Sequence, residues 1–298
     1  MDVIHSFISL IPIGLTQGLI FAMVAMAIMI PFRILSLPDI SAEGTFGFGG
    51  CVTAQCLVLG FEPVLAVCAG ALAGFLGGLA TALIHVKVKL DSLLCGVLLI
   101  SILYTLDIRV MGHPNTALFN YPNLFAYLPV DSTLNRILLL IAVNVVLVCA
   151  ILWFLNTQHG LAMRAIGSSQ AMARAQGIHV TIYILAGFGL ANCIAALGGG
   201  FQAQNQGFAD VNMGLGALVN GLAAVLLGEA LVGNRTLKRL LVSPVVGSVV
   251  YFQLVSAALA LGFQPADLKL VTALFVVATF LIMRRKKHNR GTAAKRTV

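Results

Sequence analysis

PFRILSLPDISAEGTFGFGGCVTAQCLVLG, residues Pro31 to Gly60, lies between two long apolar runs and decides how the remaining segments are counted. It exceeds the roughly 20 residues that a helix needs to span hydrocarbon, yet Pro38, Asp39, Glu43, Gly44, Gly47, Gly49 and Gly50 interrupt it. Read as a broken helix, it is the second of about nine spans. Read as a segment that does not cross, it leaves eight.

Working outward, apolar segments fall at about residues 7–30, 63–84, 92–108, 134–155, 181–203, 213–231, 241–262 and 268–283. Of the 298 residues, 59% are hydrophobic and 9% charged, and the mean hydropathy is +1.00. An average soluble domain is about 25% charged. The fold class is therefore an all-α polytopic membrane protein, and a soluble enzyme or soluble nucleic-acid binder is excluded. The expected organisation is a single transmembrane domain over residues 1–298.

The net charge of +8 is informative through its distribution. With nine spans and the N-terminus outside, fifteen Lys and Arg residues face the cytoplasm, from Arg33 through Lys87, Arg164 and Arg235 to the basic tail at 284–298. Only Arg109, Arg136 and Lys269 lie outside. No Lys or Arg precedes Arg33, so the basic start of a secretory signal is missing and the first apolar stretch is expected to stay in the mature protein.

Two connections are long. Arg109 to Arg136, with three prolines and several aromatics, exceeds a bare turn and is expected to fold against the outer mouth. Residues 156–180, NTQHGLAMRAIGSSQAMARAQGIHV, are polar and helix-prone, with Ser168 and Ser169 placed to cap a helix that Gly177 ends. Two short cytoplasmic helices split near Gly167 fit this pattern. Gly70, Gly74 and Gly78 share one helix face and suit close packing within the subunit. The six cysteines sit in apolar stretches without a CxxC pair and pack as small hydrophobes. The six histidines are scattered, mostly at predicted membrane edges.

Ionisable residues at membrane depth are costly and therefore candidates for function. Asp39, Glu43, Asp210 and Glu229 are such residues, with Glu229 close to the cytoplasmic end. The stretch ALGGGFQAQNQGFADVNMGLGALVNG, Ala196 to Gly221, resembles Pro31 to Gly60 in kind: glycines, amides and an acid where hydrocarbon is expected. Paired interrupted segments point to a transport pathway, because unwound backbone survives in a membrane only where it lines a cavity or is buried. No GxSxG, HExxH or Walker-type loop is present. An ion-coupled secondary transporter and a non-catalytic structural membrane subunit are the alternatives to be weighed.

The stretches GLTQGLIFAMVAMAIMIPFRILSLPDISAEGTF (Gly14 to Phe46), HGLAMRAIGSSQAMARAQGI (His159 to Ile178) and GFADVNMGLGALVNGLAAVLLGE (Gly207 to Glu229) resemble the membrane permeases of bacterial ABC importers. The subgroup is the one that includes branched-chain amino acid, ribose and nucleoside permeases. The similarity runs in order from about Gly14 to Met283.

The resemblance implies a type II-like importer permease in the bacterial cytoplasmic membrane. It would pair with a second permease subunit, as a homodimer, dock cytoplasmic ATPase subunits that carry ATP and Mg, and receive solute from an extracytoplasmic binding protein. No cofactor is expected on this chain, and its other surroundings are membrane lipid, not nucleic acid. The coupling helix falls within Gly160 to Gly177, with Met163, Arg164, Ala165 and Ile166 facing the ATPase groove, Gly167 at the split and Arg174 in support. The pathway runs by Asp39, Ser41, Glu43, Gly44 and Phe46, with Gln202, Gln204, Asn205 and Asn212 opposite. DISAEGTF differs from the asparagine- and histidine-containing segment of branched-chain permeases, and the expected solute is an amino acid, an aromatic one included, or a related small molecule.

Overall fold

The computed structural model describes residues 2–127, 133–263 and Leu274. Its helices are α1 (Asp2–Met29), α2 (Ser41–Val58), α3 (Pro63–Leu83), α4 (Ser92–Met111), α5 (Thr133–Asn156), α6 (Gln158–Ser168), α7 (Gln170–Ala175), α8 (Val180–Gln206), α9 (Ala217–Val232) and α10 (Leu237–Ala260). Strands β1 (Asn115–Ala117) and β2 (Phe208–Asp210) form an antiparallel pair. Among the described residues six helical segments are long and apolar enough to cross a membrane, and the shorter α2 and α9 pack among them. The last expected span at 268–283, with Lys269 and the tail at 284–298, lies outside the described residues.

α1 is apolar on every side, as a helix enclosed in protein or set in a membrane is. Ile20, Met23, Met26, Ile28 and Met29 are buried, and α8, α9, α10 and α5 pack around them. In its most apolar stretch 78% of residues are buried, against 11% in the peripheral α5. Pro31 lacks the N–H that a regular helix would use, and the last turn of α1 widens into a π-helix over Ile30–Ile34. There Leu35 donates to the Ile30 carbonyl at 3.3 Å.

The structure relocates the break in the second segment. Residues 41–58 form one continuous helix despite their four glycines, because neighbouring backbone fills the missing side-chain space. A Cβ on Gly49 would strike the Ala196 backbone of α8, and one on Gly50 would meet Met213 Sδ at 2.6 Å. The interruption is the non-helical link at 36–40, where Pro38 disfavours helix in the residue before it and Ser36 adopts φ 55°. Ser36 touches the α6 end through Gly167, whereas Ser41 reaches Asn192 near the middle of α8. Residues 36–40 are thus a non-helical link, and residues 41–58 a helix packed on α8 and α3.

The glycines of α3 pack inside the subunit. Gly70 approaches Gly49 and Thr53 of α2, while Gly74 and Gly78 approach Asn192 and Phe188 of α8 so closely that a Cβ would collide with backbone oxygen. On the outer side β1 pairs with β2 in the register Asn115↔Asp210, Thr116↔Ala209 and Ala117↔Phe208. The outer loop is therefore folded onto the end of α8. Val211–Gly216 then descends along α2, from Gly50 to Glu43, before α9 begins.

Candidate functional site

Three groups of polar residues arise from this packing. The innermost lies where α2 starts. Asp39 is 4% exposed and accepts hydrogen bonds from the Ser41 N–H (2.8 Å), the Ser41 hydroxyl (2.6 Å) and Asn192 Nδ2 (2.9 Å). Asn192 Oδ1 in turn accepts from the Thr45 hydroxyl at 2.7 Å. The cluster is closed, with its carboxylate held by short donors, as a buried acid requires. Asp39 and Ser41 therefore tie α2 to α8, and Phe46 is fully buried between α1 and α8 against Gly198 and Gly199. All three pack as buried joints between helices.

The second group surrounds a narrow cleft of about 50 Å³ between α2, α4 and the descending turn. Glu43, Gly44, Tyr104, Asp107, Asn212 and Leu215 are among its walls. Glu43 Oε1 accepts from the Gly216 N–H at 2.9 Å, so this carboxylate sits at the positive N-terminal end of α9. Asp107 is 3% exposed, and its Oδ1 has no hydrogen-bond partner. Sequence reading passes over Asp107 because it ends the 92–108 apolar run beside Arg109, where an interfacial acid is ordinary. Gly47 of α2 lies beside the carboxylate, where an added Cβ would stand in ordinary van der Waals contact, 3.9 Å from Oδ2.

The amides expected opposite divide. Asn212 lines the cleft, but Gln204 Oε1 accepts from the Leu124 N–H at 2.7 Å and fastens the outer loop. Gln202 Nε2 donates to Gln206 Oε1 at 3.1 Å, and Asn205 borders a separate outer cavity of about 250 Å³ with Tyr121 and Arg136. Asp210 belongs to the outer hairpin: Asn115 Nδ2 donates to its Oδ2, and the Asn212 N–H to its Oδ1.

The third group is cytoplasmic. α6 and α7 split at Ser169, whose hydroxyl accepts from the Met172 N–H at 3.3 Å, and Gly177 follows with φ 80° in the left-handed region that glycine tolerates. Met163 and Ile166 are buried, and Gly160 packs directly on Leu155. This corrects the expectation that Met163 and Ile166 face outward: the apolar stripe of an amphipathic helix turns to the bundle, here towards Leu35 and Gly187. The outward face carries Leu161, Arg164, Ser168, Met172 and Arg174, with Ala165 half-buried. Gly167 rests on the Ile34 carbonyl, and its own carbonyl accepts from the Ser36 hydroxyl at 2.9 Å. Beside it, Arg33 forms a two-bond ion pair with Glu229, its Nε lying 2.7 Å from Oε1. A cavity of about 380 Å³ opens there, bordered by Arg33, Arg164 and Arg235.

The fold is a helical bundle with, among the described residues, six segments long and apolar enough to cross a membrane, an outer hairpin and a capped pair of short helices. The chain belongs to the family described as branched-chain amino acid transport system / permease component, whose model matches residues 10–283. It is 35% identical over 266 residues, 89% of this chain and 88% of the relative, to the tyrosine transport system permease protein of Clostridioides difficile (strain R20291). It is 27% identical over 277 residues to the uncharacterized protein RP368 of Rickettsia prowazekii (strain Madrid E), covering 92% of this chain and 97% of that one. A solved structure described as an inward-facing conformation of a metal-chelate type ABC transporter matches its fold with a TM-score of 0.54. That match has 17% identity and covers 92% of this chain and 85% of the other. The protein is thus a multi-pass permease component of an ABC transporter, placed in the cytoplasmic membrane.

Proposed function

We propose that this permease imports an amino acid, with tyrosine or a similar aromatic one the first to test, and that it works as a homodimer. Its partners are two cytoplasmic ATPase subunits, which hold ATP and Mg, and an extracytoplasmic binding protein. This chain carries no catalytic group and no cofactor in the scheme. The similarity to a tyrosine permease over nearly the full length of both chains supports the solute class.

The observation that carries the mechanism is the contact of α6 with the turn between α1 and α2. A push on the exposed face of α6 at Arg164 passes through Gly167 to Ile34 and Ser36. These residues begin the non-helical link that leads to Asp39 and α2. A rigid helix pair can convert ATPase closure into movement of the spans in this way. Gly160 and Gly177 set the ends of the device, and Arg174 adds charge to its outer face.

The test is reconstitution with the ATPase and binding protein. Wild-type proteoliposomes accumulate radiolabelled tyrosine in an ATP-dependent manner. Arg164→Glu and Gly167→Pro reduce uptake at least tenfold and weaken ATPase stimulation by the loaded binding protein. Normal values for both variants, or failure of any ATPase to copurify with the permease, would overturn the coupling assignment.

A further inference from the structure

We infer that the cleft between α2, α4 and the Val211–Gly216 turn seats the ammonium group of the transported solute, with the Asp107 carboxylate as its counter-ion. The inference rests on the amino acid reading above and names the part of the solute that the permease itself recognises.

Among the described acids in the bundle, Asp39 is saturated by Ser41 and Asn192, Glu229 by Arg33, and Glu43 accepts from Gly216. Asp107 is equally buried, yet its Oδ1 has no hydrogen-bond partner. The Cys51 thiol, a weak donor, is the hydrogen-bonding neighbour of this carboxylate, and an acid left so short of donors at membrane depth is costly; residues that bear such a cost there are commonly those that meet a cation or polar substrate. The size of the cleft agrees. About 50 Å³ admits one or two water-sized groups. An ammonium fits this space, whereas a whole amino acid does not.

The mouth of the cleft is suited to the remainder. Tyr104 is 47% exposed and Leu215 is 69% exposed on its rim. The phenol ring offers a π face to the cation and an apolar wall to an aromatic side chain. The solute's carboxylate remains outside, away from Glu43 and Asp107. Glu43 adds negative charge to the cleft while its Oε1 stays committed to the start of α9.

The purified permease with its ATPase, free of binding protein, is titrated by thermophoresis with tyramine, which has the amine without the carboxylate. 3-(4-Hydroxyphenyl)propionate, with the carboxylate and no amine, is the matched probe. Tyramine binds at least tenfold more tightly than the propionate, Asp107→Asn weakens it tenfold or more, and Tyr104→Leu, at a half-exposed position, weakens it severalfold. Equal affinity of the two probes, no tyramine binding to the wild type, or full binding by Asp107→Asn overturns the inference. Uptake of tyrosine and other amino acids by the wild-type complex with its binding protein separates the two levels. Uptake without Asp107-dependent amine binding defeats the ammonium seat alone, and absence of any amino acid uptake defeats the reading beneath it.

Discussion

The start of α2 and its flank one to four turns further along present the same chemistry in opposite states. At Asp39 every donor within reach is used: Ser41 supplies two hydrogen bonds and Asn192 one, and Asn192 is itself held by Thr45 and Phe188. At Asp107 one carboxylate oxygen is buried without a partner, in a cleft that Glu43 shares. Both acids are almost fully buried, so depth alone does not separate a structural acid from a functional one. The separation lies in the bonds: a saturated cluster fixes one packing of two helices, and an unsaturated one keeps a valence for something that comes and goes.

The largest test of this contrast removes the platform on which the saturated cluster stands. Gly78→Leu places a side chain where the Phe188 carbonyl and Asn192 Cβ already are. Backbone cannot yield as a flexible side chain can, so α3 and α8 separate and the Asp39–Asn192 bond goes with them. We expect a loss above about 4 kcal/mol, seen as failure to recover a monodisperse permease on size-exclusion chromatography. Normal recovery would mean that the glycine face of α3 does not hold α8 in place.

Next in size is Asn192→Leu, which keeps the approximate volume but removes the group that joins Asp39 to Thr45. Asp39 Oδ2 loses its donor and Thr45 its acceptor at 2.7 Å. Leaving a buried carboxylate partly unpaired puts the cost at about 2–4 kcal/mol, read from unfolding of the detergent-purified chain. A change below about 0.5 kcal/mol, within the usual range for unimportant sites, would remove the distinction drawn between the two regions.

A smaller effect is expected at Glu43. Glu43→Gln retains an oxygen for the Gly216 N–H and deletes the charge at the α9 N-terminus. Such a charge contributes about 0.3–1 kcal/mol, and that is the expected fall in stability in the same unfolding assay. Glu43→Ala should cost more, because the hydrogen bond goes too. If the two variants match, the charge and not the bond is what Glu43 provides.

How much of this was legible in the sequence follows from what kind of signal each part leaves. Apolar runs and the bias of Lys and Arg leave a signal that survives without coordinates, and the helices from α1 to α10 fall close to the expected segments. The break in the second segment was visible in Pro38, but the glycines after it looked like further breaks. They are contacts, because Gly49 and Gly50 are filled by the backbone of α8 and by Met213, and a sequence does not display such neighbours. Asp39 and Glu43 were found as acids in an apolar context, yet their partners Asn192 and Gly216 lie 153 and 173 residues away. For α6 the cap at Ser169 was legible and the facing was not. Met163 and Ile166 follow the inward stripe, and only Leu35 and Gly187 show which side is inward.

The smallest expected effect on stability is also the most discriminating. Asp107→Asn is nearly isosteric, and at Oδ1 there is no hydrogen bond to lose. Replacing a buried carboxyl whose hydrogen-bonding neighbour is the weakly donating Cys51 thiol by a neutral amide removes a desolvation cost, while the new amide brings a donor that must find its own acceptor. These contributions oppose each other, so the unfolding free energy should stay within about 0.5 kcal/mol of wild type. A loss resembling that of Asn192→Leu would show that Asp107 is a packing residue whose partner is made in the folded bundle. A near-zero change joined to lost amine binding would place the whole effect on a ligand. Stability and binding move together at Asn192 if it is a structural clamp, and they separate at Asp107 if its free oxygen is kept for the solute.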